Sequence, residues 1–133
     1  MSLFNVFDIS GSALRAQTIR LNTTAGNMAN TDSISSSTGA TYRARQPVFA
    51  AQLDAAGEAM GGVEVLGIVE SQAPLRREHR PEHPLADQDG YVNLPNVNPV
   101  EEMADMISAS RSYQSNVEVF NTCLLYTSDA ADE

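Results

Sequence analysis

NPVEEMADMISASRSYQSNVEVFN, residues 98–121, opens with a helix start signal and carries an apolar stripe. Asn98 suits an N-cap, because its side-chain oxygen can accept a hydrogen bond from a first-turn amide. Pro99 fits the first helical position, and Glu101 stands where a capping-box carboxylate reaches back. Met103, Met106, Ile107, Ser110, Tyr113, Val117 and Phe120 then recur mostly at intervals of three and four. That spacing predicts an amphipathic helix from Pro99 to at least Asn121.

A second periodic segment lies at the other end of the chain. Phe7, Leu14, Leu21 and Met28 recur every seventh residue, and Gly11, Thr18 and Ala25 follow the first three of them by four. This is a heptad with large residues at one seam position and small ones at the other. Gly11 and Gly26 inside a helix each cost up to ~1 kcal/mol. Such positions are easier to explain where two backbones meet closely. Ser2 or Asn5 can cap the start.

Neither helix can bury an apolar face alone. The expected fold is therefore mainly α, with terminal helices over residues 1–30 and 99–122 pairing as a coiled coil and stacking on other subunits. The expected assembly seam consists of Phe7, Leu14, Leu21 and Met28 with Met103, Met106, Ile107, Tyr113, Val117 and Phe120.

Residues 31–98 read differently, as a loop and a small β-rich or irregular insert. TDSISSSTGATY is rich in Ser and Thr and has no apolar period. Residues 41–49 and 63–70 are extended candidates, the latter (VEVLGIVE) rich in β-branched residues. Pro74, Pro81, Pro84 and Pro95 exclude a long helix between them. Asp89-Gly90 before Tyr91-Val92 reads as a turn entering a short strand.

The apolar pattern of the last helix breaks at Thr122. The remaining CLLYTSDAADE back-translates to a string resembling a transposase mosaic end that runs into a sequencing adapter. Residues 123–133 are accordingly expected to be non-native read-through. Without Asp129, Asp132 and Glu133 the formal net charge moves from −9 to −6.

Charge and composition exclude several function classes. All eight basic residues are Arg, and the formal net charge is −9. An acidic chain without a basic run does not suit nucleic acid or an anionic membrane surface. One cysteine, Cys123, offers neither a disulfide pair nor a zinc-ligand spacing. The N-terminus MSLFNVFDIS lacks the charged and apolar regions of a Sec signal peptide, and no run approaches the ~18 apolar residues of a membrane span.

Nothing points to catalysis or a cofactor. His79 and His83 have a metal-ligand spacing, but Pro81 lies between them, and a solvated loop is expected. Asp87 and Asp89 sit beside Gly90, where Asp is favoured for backbone reasons rather than acid–base work. Arg76, Arg77 and Arg80 are expected on a salt-bridging surface between subunits. No small-molecule substrate is indicated.

Three segments carry a family resemblance. NMANTDS, residues 27–33, is similar to the Asn-x-Ala-Asn motif of flagellar rod and hook axial proteins, here Asn27, Ala29 and Asn30. YRARQPVF, residues 42–49, resembles the stretch that follows it. HPLADQDGYVNLPNVNPVEEMADMISASRSYQSNVEVFNT, residues 83–122, resembles the C-terminal block of the proximal-rod members.

The resemblance implies a structural protein of the flagellar basal body, a subunit of the drive shaft. It also implies export through the flagellar type III apparatus without a Sec signal. The implied partners are FlgB, FlgF, FliE-type neighbours and further copies of the chain, and the implied terminal helices order on polymerisation. For Asn27 and Asn30 two compatible roles stand open: a helix C-cap using left-handed backbone, and hydrogen bonding between subunits. A soluble adaptor presenting the middle segment on a helical hairpin is the alternative function class.

Overall fold

The computed structural model describes residues 2–35 and 39–132. The chain runs α1 (Leu3–Ala29), β1 (Arg45–Leu53), β2 (Ala59–Glu70), β3 (Arg76–His79), β4 (Tyr91–Leu94) and α2 (Pro99–Asp132). β1 pairs with β2, and β3 with β4, as two antiparallel two-stranded sheets.

Both helix starts follow their sequence signals. The Ser2 side chain accepts from the Asn5 amide at 3.2 Å. Asn98 Oδ1 accepts from the Val100 amide at 3.1 Å. Glu101 and Glu102 stand in the first turn of α2, and the exposed Glu101 carboxylate is favoured there by the helix dipole. α2 does not stop at Thr122 but continues to Asp132. The tail contains no Gly or Pro, and Leu124, Leu125, Ala130 and Ala131 are good helix formers.

The helices run antiparallel, as three contacts along them show. Phe7 meets Phe120, Arg20 reaches Asp105, and Asn27 reaches Glu102. A mainly-α description holds only in part, because the middle of the chain, expected as β-rich or irregular, is two ordered β-hairpins.

The same five-residue turn closes both hairpins. Asp54 Oδ1 accepts from the Ala56 and Glu58 amides at 2.8 and 2.9 Å. Asp87 Oδ1 accepts from the Asp89 and Tyr91 amides at 3.0 and 2.8 Å. Each turn needs left-handed backbone at its fourth position, supplied by Gly57 (φ +83°) and Gly90 (φ +85°).

β1 begins at Arg45 rather than near Thr41. The amides of Ala44 and Arg45 donate to Asn96 Oδ1 and Asn27 Oδ1, at 2.8 and 2.9 Å. Side chains thus occupy those donors. The largest fully buried apolar side chains, Val92, Leu94, Pro95 and Val97, cluster at β4 and the entry to α2.

β3 was expected as loop. Its sequence, Arg-Arg-Glu-His, has little strand propensity. Pairing with Tyr91–Leu94 makes it a strand.

Candidate assembly interface

The structure separates the expected seam residues into two groups. Phe7, Leu14, Leu21 and Met28 on α1 are half-buried, as are Met106, Val117 and Phe120 on α2. Phe7 and Phe120 pack edge to face, their centroids 4.7 Å apart. Met103, Ile107 and Tyr113 instead stay exposed, at 52%, 57% and 37%.

The covered line of α2 is Glu102, Met106, Ala109, Asn116, Phe120 and Cys123. These positions follow heptad spacing, offset from the apolar stripe read in the sequence. Ala109 is fully buried and Glu102 nearly so. The outer side carries Val100, 74% exposed, with Met103 and Ile107. α2 thus turns Met106 and Phe120, set among small and polar residues, toward its own chain and leaves Val100, Met103 and Ile107 toward solvent.

α1 serves two neighbours at once. Phe7 and Arg20 face α2, while Ser12 Oγ accepts from the Val63 amide of β2 at 3.1 Å. Ser10, Ser12, Ala16, Thr24 and Asn27 are its buried residues. Small side chains let the hairpin and α2 both approach it closely.

Asn27 is the joint between these elements. It is 1% exposed. Its Nδ2 donates to the Arg45 carbonyl at 2.8 Å and to Glu102 Oε2 at 3.2 Å. Its Oδ1 accepts from the Tyr42 hydroxyl at 2.8 Å and the Arg45 amide at 2.9 Å. One carboxamide thereby uses both donors and both acceptor sites, tying α1 to β1, to α2 and to the chain entering β1.

Burial, opposed by the Asn27 hydrogen bond and aided by the charges of Asp105 and Glu101, holds the Glu102 carboxyl above its ordinary range. Burial likewise raises the Tyr42 hydroxyl, with Arg45 acting against it.

Asn30 is the C-cap. Its amide donates to the Gly26 and Asn27 carbonyls, and its Nδ2 donates to the Gly26 carbonyl at 2.8 Å. It caps with φ −104° and not from the left-handed region expected for it. Thr31 Oγ1 donates to the Met28 carbonyl at 2.9 Å, completing the turn. Ala29 is exposed. The motif residues therefore do different work: Asn27 joins elements, Asn30 ends a helix, and Ala29 faces outward.

The basic cluster is engaged within the chain. Arg76 donates to the Pro95 and Thr31 carbonyls, at 3.0 and 2.8 Å. Arg77 pairs with Asp87 at 2.8 Å, and Arg80 with Glu78 at 2.6 Å. All three arginines thus have partners within the chain. His79 lies edge-on to Tyr91, and His83 Nδ1 accepts from the Leu85 amide. Among the described residues no group of three His, Cys, Asp or Glu is placed to hold a metal ion. Among them, no helix is long and apolar enough to cross a membrane.

The sequence signalled Asn27 through its motif. It gave no sign of the joint's other members, because Tyr42 ends a Ser/Thr-rich segment and Glu102 belongs to no motif.

Two helices clasp a small β unit, and α2 keeps an outward apolar line. A family profile described as the flagellar basal body rod FlgEFG protein C-terminal matches residues 88–123. The flagellar basal-body rod protein FlgC of Salmonella typhimurium (strain LT2) is 56% identical over 123 residues, covering 92% of this chain and 90% of the relative. FlgC of Yersinia enterocolitica is 56% identical over 124 residues, with the same coverage. FlgC of Aquifex aeolicus is 43% identical over 121 residues, covering 91% and 89%. The chain is a structural, non-enzymatic component of the flagellar basal-body rod. Within that class it belongs to the FlgC family.

Proposed function

We propose that this chain is a proximal-rod subunit that polymerises through the outward apolar line of α2 and helps carry motor torque. The supporting observation is the exposure of Val100, Met103 and Ile107 on the side of α2 away from its covered line. A helix so arranged gains more apolar burial from a neighbouring subunit than from its own chain. In the assembled rod the terminal helices of adjacent subunits complete coiled-coil seams, with Leu14, Leu21 and Met28 contributing from α1. The neighbours are further copies and other rod proteins of the FlgB, FlgF and FliE type. Delivery is through the flagellar type III export apparatus.

Ile107→Asp tests the outward line. Ile107 is 57% exposed, so the substitution leaves the free chain's thermal stability nearly unchanged. Burying the new carboxylate between subunits costs several kcal/mol, and rod assembly and swimming are expected to fail. Normal swimming in a chromosomal Ile107→Asp strain sinks this reading.

A further inference from the structure

The joint holds a carboxylate that forms no ion pair among the described residues. Glu102 is 7% exposed, and its side chain accepts from the Asn27 amide group at 3.2 Å. A cavity of about 180 Å³ beside it is lined by Arg20, Arg45 and Asp105, among others. Both guanidiniums also face other carboxylates. Arg20 Nη2 lies 3.2 Å from Asp105 Oδ1, and Arg45 Nε lies 3.9 Å from Glu70 Oε1.

We propose that this joint is a proton-controlled latch between the terminal helices: neutral Glu102 holds it closed, and ionised Glu102 loosens it. The groups facing Glu102 from each packed element are Arg20 of α1, Tyr42 of the connecting segment, Arg45 of β1, and Glu101 and Asp105 of α2 itself. Glu70 of β2 neutralises Arg45 in part.

The balance among these groups is against ionisation. Burial removes water from the carboxylate, two like charges stand on the same helix, and the cations are shared with Asp105 and Glu70. With the folded value raised, the joint has its full stability below the ordinary glutamate range and loses it as pH rises through the folded value. The loss acts where α1, β1 and α2 meet, so it loosens α2 against α1 and leaves the β3–β4 hairpin intact.

Hydrogen exchange of the full chain, followed by NMR, tests the latch. The Arg45 amide is the reporter, since Asn27 Oδ1 holds it inside the joint at 2.9 Å. Its protection, corrected for intrinsic exchange, is expected to fall as pH rises above the ordinary glutamate range, with at most a roughly tenfold loss per pH unit for one titrating carboxyl. In Glu102→Gln that fall is expected to vanish, with protection staying at the acid level. A fall of equal size in Glu102→Gln, or none in the unaltered chain, overturns the proposal. Should Glu102→Gln not fold, a ¹³C titration of the Glu102 carboxyl in the unaltered chain decides. A midpoint above the ordinary value supports the latch, and one at or below it overturns the latch.

Discussion

Phe7 of α1 and Phe120 of α2 meet edge to face, with centroids 4.7 Å apart and ring planes at 84°. The pair holds the start of α1 against the far part of α2, well away from the Asn27 joint. Edge-to-face pairs contribute about 0.5–1.5 kcal/mol beyond the area they bury. A double-mutant cycle of Phe7→Ala and Phe120→Ala in urea denaturation should return a coupling of that size. A coupling near zero would mean that the rings are only neighbours.

Asn27 offers a sharper test, because its carboxamide uses both its donors and its acceptors. Asn27→Asp keeps the shape but puts an acceptor against the Arg45 carbonyl and a second carboxylate against Glu102. The expected loss is about 3 kcal/mol at neutral pH. It should shrink toward pH 4, as the two acids share a proton. Chemical denaturation at both pH values checks the size and the sign.

Asp87 works in the opposite direction from Glu102. Backbone amides, that of Tyr91 foremost, and the Arg77 guanidinium hold its carboxyl below the ordinary range. A depressed value gives stability that is present above the ordinary aspartate pKa and lost as pH falls through the folded value. The β3–β4 hairpin should therefore loosen in acid while the Asn27 joint tightens. NMR shifts of Val92 and Leu94 against pH report the first trend. Asp87→Asn should flatten it.

Residues 123–133 yield a prediction about the gene. α2 carries a regular apolar line as far as Phe120, and the matching family profile ends at residue 123. Beyond that point Tyr126 and Leu125 are exposed, and carboxylates stand at the negative end of the helix dipole. Long-read sequencing of the locus is expected to return a different continuation after Thr122. Recovery of CLLYTSDAADE as coding sequence would reject the adapter origin.

Local chemistry was legible where the cause was local. The Asn98-Pro99 start of α2, the length of α1 and the Asp89-Gly90 turn all follow from residues within a few positions of one another. The equivalent turn at Asp54–Gly57 carries the same chemistry but lacks the adjacent Asp-Gly pair that marks the other. What escaped the sequence depends on partners far along the chain. β3 is a strand because Tyr91–Leu94 lies beside it. Which side of α2 is covered depends on how α1 divides itself between α2 and the hairpin, and heptad spacing fits more than one such line. Glu102 is covered by Asn27, which lies far along the chain, and nothing local marks it.

The two kinds of closure also set an order in time. Each Asp-Gly turn is complete within five residues, so the hairpins can form before distant parts of the chain have met. The contacts between α1 and α2 join residues near opposite ends, and loop closure makes these the slow ones. For an interval after synthesis or release, each molecule thus has finished hairpins and two unmatched helices. A helix from a second molecule can complete the pair as well as the chain's own, which is the condition under which strands of identical subunits exchange ends. Growth by exchange requires only that newcomers reach the end of the structure before their own helices have closed.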